Sequence, residues 1–365
     1  MKRNNFLTIL TYAVVFFTNC SKSPSNFMAF DEVIYVNSFP QTFNVENGVE
    51  PNINIIGITG FAVLDTLLIF STTDKEGLWY FVSLPNYNFL GKFLTLGKGP
   101  FEFIQPPFAN NKVQLIKEDN HLFAYIYDFH IGRFFRMNIS NSLLTNELAI
   151  SLYKDSLPPF LFNIVMIDTV KFFCKEVNYN HTQQVRYILN NNERTTPDFM
   201  QKLNQVSIIQ GEDINILTTG TKYSDEHQLI VEMPVGLNYV NLYSLDGSFG
   251  KTICLGKKLV DIEQIQSVKS YNRLYRFSGL TLFNNFWGVV HLNESYKTYQ
   301  TDRKTLPSIF LFDWNGNPLA ELKMDRFITS FDIDFINGLL YTFDLQYDEF
   351  YQFDIKDILQ KIKTI

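Results

Sequence analysis

The segment Ser270-Tyr271-Asn272-Arg273-Leu274-Tyr275-Arg276-Phe277 interleaves aromatic rings with guanidinium groups. Tyr and Arg combine large contact area with oriented donors, which enriches them at recognition hot spots, and aromatic faces also stack on sugar rings. Tyr271, Arg273, Tyr275 and Arg276 are therefore the candidate binding residues. Asp332 and Asp334 alternate along one run and would share a strand face. Two carboxylates so placed could do acid-base work or bind calcium, but an Asp-x-Asp pattern also suits turn and edge hydrogen bonding. His121, His130, His181, His227 and His291 show neither HxH nor HxxxH spacing, and no GxSxG elbow presents a nucleophile. The expectation is no catalytic residue, no metal ligand and no cofactor.

Gly97-Lys98-Gly99 superficially suggests a phosphate cradle. Such a loop needs a helix N-terminus whose amides point inward and a Lys-Ser/Thr pair. Pro100, Phe101, Phe103, Pro106 and Pro107 do not start a long helix, so the glycines read as a tight turn between structural units. Glu102 would either cap amides within that turn or face a central channel.

The elements that must position these residues are strands. Apolar residues make up 46% and aromatics 16% of the chain, with 36 Phe and 19 Tyr, a composition suited to pleated, half-buried surfaces. A net charge of −6 without a basic block argues against nucleic acid as a partner. Cys174 and Cys254 sit in apolar strand-like runs and read as buried free thiols. Helical signals are confined to Pro197 to Asn204, Asp261 to about Ser270, and the tail from Ile355; the first two read as insertions on one face. Asp246-Gly247, Asn315-Gly316 and Asn337-Gly338 supply the positive φ angles of tight hairpins. Hairpin centres fall near Tyr87, Gly132, Asn190, Gly247, Gly316 and Asp348, a spacing of about 50 residues that suits four-stranded propeller blades. Radial stacking buries both faces of each blade, which explains apolar strands with little clean alternation. The expected fold is all-β, a six-bladed β-propeller of four-stranded antiparallel blades.

Leu96-Gly97-Lys98-Gly99-Pro100-Phe101-Glu102-Phe103, followed by Pro106, resembles the GxGPxEF signature of six-bladed propeller lipoproteins abundant in Bacteroidetes, described as TolB-like or NHL-like. The run IFLFDWNGNPLAEL from Ile309 to Leu322, followed by FDIDFINGLLYTFD, resembles that family's last two blades. The resemblance implies an architecture and little about activity.

It also agrees with the N-terminus. Lys2 and Arg3 precede an apolar run from Phe6 to Phe17 and then Thr18-Asn19-Cys20. About twelve apolar residues are too few to span roughly 30 Å of hydrocarbon but suit a secretory signal. Residues 1–19 are expected to be a lipoprotein signal peptide, Cys20 the lipidated residue, 20–30 a flexible tether and 31–365 the propeller. The tether lacks the acidic run that resembles a surface-export signal, which favours a lipid anchor in the outer membrane facing the periplasm. The function expected is a non-catalytic binding or scaffolding module of the cell envelope for a protein or glycan ligand; the alternative is a lactonase- or lyase-type propeller enzyme with a cation in its channel. An exposed sheet edge invites aggregation, so the ring is expected to close by pairing of Asp31 to Val36 and Phe39 to Val45 with the C-terminal strands of Leu339 to Asp354.

Overall fold

The computed structural model describes residues 26–109 and 113–363. Six sheets follow one another along the chain at 58–93, 113–154, 163–195, 219–255, 274–324 and 330–354, blades 1 to 6 below, and in each the strands lie side by side in sequence order. Consecutive strands within a blade are antiparallel. The first strands of blades 3, 4, 5, 6 and 1 touch in succession. They form the inner wall of a ring, and the protein is a six-bladed β-propeller. Each expected hairpin centre falls in a different blade.

The core consists of six apolar clusters, one at every junction between neighbouring blades. Sheets buried on both faces do not alternate, and Leu67–Thr72 is buried at every position. Blade 6 meets blade 1 through Tyr341, Phe343 and Phe350 against Phe61, Leu68 and Phe70. There Asp332 Oδ2 accepts the Val63 amide at 2.8 Å. The ring is thus sealed largely by packing.

The strand closure takes another form from the one anticipated. Glu32–Val36 pairs in parallel with Gly250–Leu255 at the outer edge of blade 4, and Thr42–Val45 pairs in parallel with Pro318–Met324 at the outer edge of blade 5. Neither pairs with Leu339 to Asp354. Blade 6 holds three strands, and among the described residues the only N-terminal one paired there is Val49, bridged to Gln352. The N-terminal segment is therefore a belt around the outside of three blades rather than a strand shared by one. Past Val36 the chain crosses to blade 5, where Phe39 packs against Phe310 and Phe312 with ring centroids 4.5 and 5.5 Å apart.

The expected tether also ends earlier than residue 31. Met28 is 1% exposed. Its amide donates to Tyr239 Oη at 3.1 Å, and its carbonyl accepts from Asn241 Nδ2 at 2.8 Å. An apolar side chain with a pocket to fill pulls these residues onto the ring. Cys20 and the signal segment lie outside the described residues.

Candidate functional site

Inner strands of a propeller face a water-filled channel, so their inward positions carry polar side chains. Thr219–Ser224 of blade 4 reads TGTKYS. Lys222, at its middle, projects into the channel and lines both of the cavities that open at the two ends of the ring. Asn163, Thr221, Gly279, Leu280 and Ser330 are likewise common to both cavities and define the waist between them. Gly279 allows this narrowing. It adopts φ +54°, and a Cβ there would lie 2.8 Å from the Thr329 carbonyl oxygen, so only glycine permits blade 5 to approach blade 6 so closely.

The first cavity, about 960 Å³, opens on the face where the inner strands begin. Its charged lining residues are Asp213, Lys222 and Arg273. Asp213, Asn215, Ile216 and Thr218 from the crossover between blades 3 and 4, and Ile265, Ser270 and Arg273 from that between blades 4 and 5, build part of its wall. The second cavity, about 1100 Å³, is acidic: Asp65, Glu118, Asp225, Asp332 and Asp334 outnumber Lys117 and Lys222. The channel thus has a mildly basic end and an acidic end, with one ammonium at the waist.

Lys222 is partly exposed by area because the channel is open, yet protein surrounds it on all sides. Burial pulls its ammonium below the ordinary lysine value, with the charge of Asp332 opposing. Asp332 is pushed up to about 6 by burial, against the opposing effects of the Val63 amide, the Lys222 charge and the Ile333 amide. Both Asp332 oxygens accept backbone N–H groups, from Val63 and from Ile333, each at 2.8 Å. Asp334 accepts the Ile336 and Asn337 amides of the following turn. The Asp-x-Asp pair therefore does the turn and blade-joining work that its pattern allowed.

Two polar atoms at the first cavity lack partners. Asn163 is 4% exposed; its Nδ2 donates to the Thr221 carbonyl at 3.2 Å while its Oδ1 is buried without a donor. The Thr59 hydroxyl is also buried without a partner.

Of the four residues singled out from sequence, the structure brings two to this cavity. Arg273 lines it, held by an ion pair with Glu212 at 2.9 Å and a bond from Nε to the Val268 carbonyl at 3.0 Å. Tyr275 lines it and packs edge-on against Tyr296 and Tyr299, ring centroids 5.5 and 5.8 Å apart. Tyr271, 46% exposed, sits in the short 3-10 turn Ser270–Asn272 outside the lining. Arg276 points to the opposite face of its strand and donates to Asn293 Oδ1. Strand alternation separates it from Tyr275. Lys222, Asn163, Thr59, Tyr296 and Tyr299 were not foreseen. The signal that could have found Lys222 is the polar run TGTKYS directly before the apolar strand Leu229–Pro234.

The remaining constellations are structural. Glu102 Oε2 accepts the Gly99 amide at 2.7 Å within the crossover from blade 1 to blade 2. A Cβ on Gly97 would collide with the same carboxylate at 1.9 Å, which is why glycine stands there. His291 stacks on Phe310 with centroids 4.5 Å apart, and burial holds its imidazole down at about 4. His227 stacks on Trp314. Among the described residues no group of three or more His, Cys, Asp or Glu side chains converges as a metal site would require. Cys174 and Cys254 are free and buried, their thiols pushed up by burial to about 12 and about 11. No described helix is long and apolar enough to cross a membrane.

No family model matches the sequence, and no curated protein matches it. Solved structures do share the fold. A member of the DUF4221 family from Bacteroides vulgatus is 12% identical with a TM-score of 0.49, over 85% of this chain and 96% of that one. A Bacteroides fragilis protein described as exported is 10% identical with a TM-score of 0.44, over 86% and 98%. Raptor from Chaetomium thermophilum is 9% identical with a TM-score of 0.46, over 86% of this chain and 29% of that one. At these identities the likeness is one of fold.

Proposed function

We propose that this protein is a non-catalytic binding module of the cell envelope, anchored in the outer membrane through Cys20, that takes a glycan in the cavity on its inner-strand entry face. The observation that carries the reading is the shape and chemistry of that cavity. About 960 Å³ of concave space is walled by Tyr275, Tyr296 and Tyr299 and by hydroxyls such as Thr218, Ser278 and Thr329. Concave sites with aromatic walls and a few convergent polar groups suit small ligands, and tyrosine faces suit sugar rings. A cation-dependent enzyme is disfavoured by the ammonium of Lys222, which repels a cation where the two cavities meet. The TolB-like or NHL-like kinship suggested by the GxGPxEF segment fits this role without requiring it.

Two experiments test the reading. Tyr275→Ala combined with Tyr296→Ala should abolish retention on immobilised envelope glycans while leaving the melting temperature within a few degrees. Retention unaffected by the double change, or capture of a protein at this face with no glycan bound, would overturn the glycan assignment. For the address, Cys20→Ala should move the protein from the detergent phase to the aqueous phase of a fractionated envelope. The substituted chain staying in the detergent phase would remove the lipid anchor.

A further inference from the structure

Tyr271 lies outside the lining of the first cavity, and it stands where the chain joins the ring. The Asn26 carbonyl accepts the Ile262 amide at 3.0 Å, so the first described residue sits at the start of the short helix Ile262–Gln266. That helix belongs to the crossover between blades 4 and 5, on the face where the inner strands begin. Three exposed apolar side chains flank it. Ile209, 66% exposed, has its amide on Gln266 Oε1 at 2.6 Å. Val268 follows the helix, and Arg273 Nε, by donating to the Val268 carbonyl at 3.0 Å, folds the turn that carries Tyr271 back against it. Five helical residues rise only about 7 Å, so the entry point of the chain and this patch share one rim of the ring. None of the three residues lines the first cavity.

What covers such a patch follows from the anchor. Six peptide units separate Cys20 from Asn26, and they reach at most about 20 Å even when fully extended. A lipid on Cys20 therefore keeps this rim within about that distance of the bilayer surface. We propose that the rim docks on the bilayer that holds the anchor, with Ile209, Val268 and Tyr271 entering the headgroup region. The inference rests on the Cys20 lipid of the proposed function and is independent of the glycan reading, since the cavity lining stays free for a ligand. Tyrosine suits the membrane interface, where its ring is buried and its hydroxyl stays wet. Lys257, Lys258 and Lys269 are exposed on the same crossover, and such stems lie along apolar surface while their ammonium groups reach lipid phosphates. The acids of that crossover are Asp261 and Glu263, and Asp261 is engaged by the Gln264 amide at 2.7 Å. Charge thus favours phosphate headgroups by a small margin, and apolar contact contributes the rest. Three apolar side chains alone would hold a free chain weakly. The tether raises their local concentration at the bilayer, where weak contact suffices.

The test uses the full chain, purified from membranes and reconstituted in vesicles of equal parts phosphatidylethanolamine and phosphatidylglycerol, with a nitroxide on some acyl chains close to the headgroup. Val268→Cys and Leu144→Cys are each labelled with a thiol-reactive fluorophore, which Cys174 and Cys254 escape because they are buried. Leu144, 84% exposed, serves as the reference: its helix, Ile139–Thr145, joins the third and fourth strands of blade 2 on the opposite face. The label at 268 should lose most of its emission to the nitroxide, and the label at 144 should keep it. Ile209→Glu combined with Tyr271→Glu should restore emission at 268 while the chain stays with the vesicles. All four positions are exposed, so these changes leave the fold intact. Equal quenching at 268 and 144, or quenching at 268 that survives the double change, would overturn the docking with the anchor intact. A wild-type chain that stays out of the vesicle fraction removes the anchor and, with it, the docking.

Discussion

A chain lacking residues 27–45 should not yield a soluble ring. The reason is the belt and not a shared blade. Met28 fills a buried site beside Arg186, Tyr239 and Asn241, at the junction of blades 3 and 4, and the Arg186 guanidinium contacts its sulfur at 2.8 Å. Val36 and Val45, 6% and 3% exposed, cap the apolar clusters at the next two junctions. Between them the two parallel strands cover the outer edges of blades 4 and 5. Removing the segment uncovers two strand edges at once, and naked edges template association with other chains. Expression of the deleted chain should therefore give aggregate, read as loss of the soluble fraction after signal-free production. Met28→Ala alone should cost about 2–5 kcal/mol in denaturant unfolding, the range for emptying a buried Met site. A soluble, cooperatively melting deletion variant would show that the blades close without the belt.

The blades were legible because their middle and outer strands are sandwiched between neighbours. Burial on both faces writes long apolar runs such as His121–Asp128 and Leu339–Asp344 into the sequence, with glycine or asparagine at the hairpins. Three of the innermost strands were not legible in the same way. Val113–Glu118, Thr219–Ser224 and Leu274–Leu282 face water on one side and carry Gln, Lys, Thr and Ser where a core strand would carry Val. None of the three reads as a long apolar run, and Lys222, on Thr219–Ser224, was missed for the same reason. Arg273 and Tyr275 were recognisable by residue type, yet their neighbour Arg276 shows the limit of a linear motif: one step along a strand reverses the face. The belt was anticipated as extended chain, but its partners lie more than 200 residues away and nothing local in Glu32–Val36 selects blade 4 over blade 6.

Glu232→Gln should be the most damaging single substitution away from the belt. Glu232, Arg186 and Lys175 are all fully buried between blades 3 and 4. Arg186 meets the carboxylate through Nη2 at 2.6 Å and Nε at 2.9 Å, Lys175 Nζ stands 3.6 Å away, and Thr219 and Tyr243 donate at 2.9 Å each. Burial alone would raise the Glu232 carboxyl, but Arg186 and Lys175 outweigh it and hold it down at about 2. Taking the carboxylate away leaves two buried cations without a counter-charge, which costs about 3–5 kcal/mol and roughly 4–7 °C in melting temperature for a chain of this size. The pH dependence carries a matching sign. Because the native value lies below the ordinary 4.5, the unfolded chain binds more protons between those values. The pairing therefore contributes fully above about pH 4.5 and is lost as pH falls towards 2, with about 3 kcal/mol at stake. Glu232→Gln should lack that part of the acid transition. Replacing Lys175, Arg186 and Glu232 together by Met should be milder than Glu232→Gln, since an apolar junction strands no charge. The comparison separates the worth of the pair from the penalty of breaking it: if the single change melts within about 2 °C of wild type, water reaches these groups and the junction is looser than its packing implies.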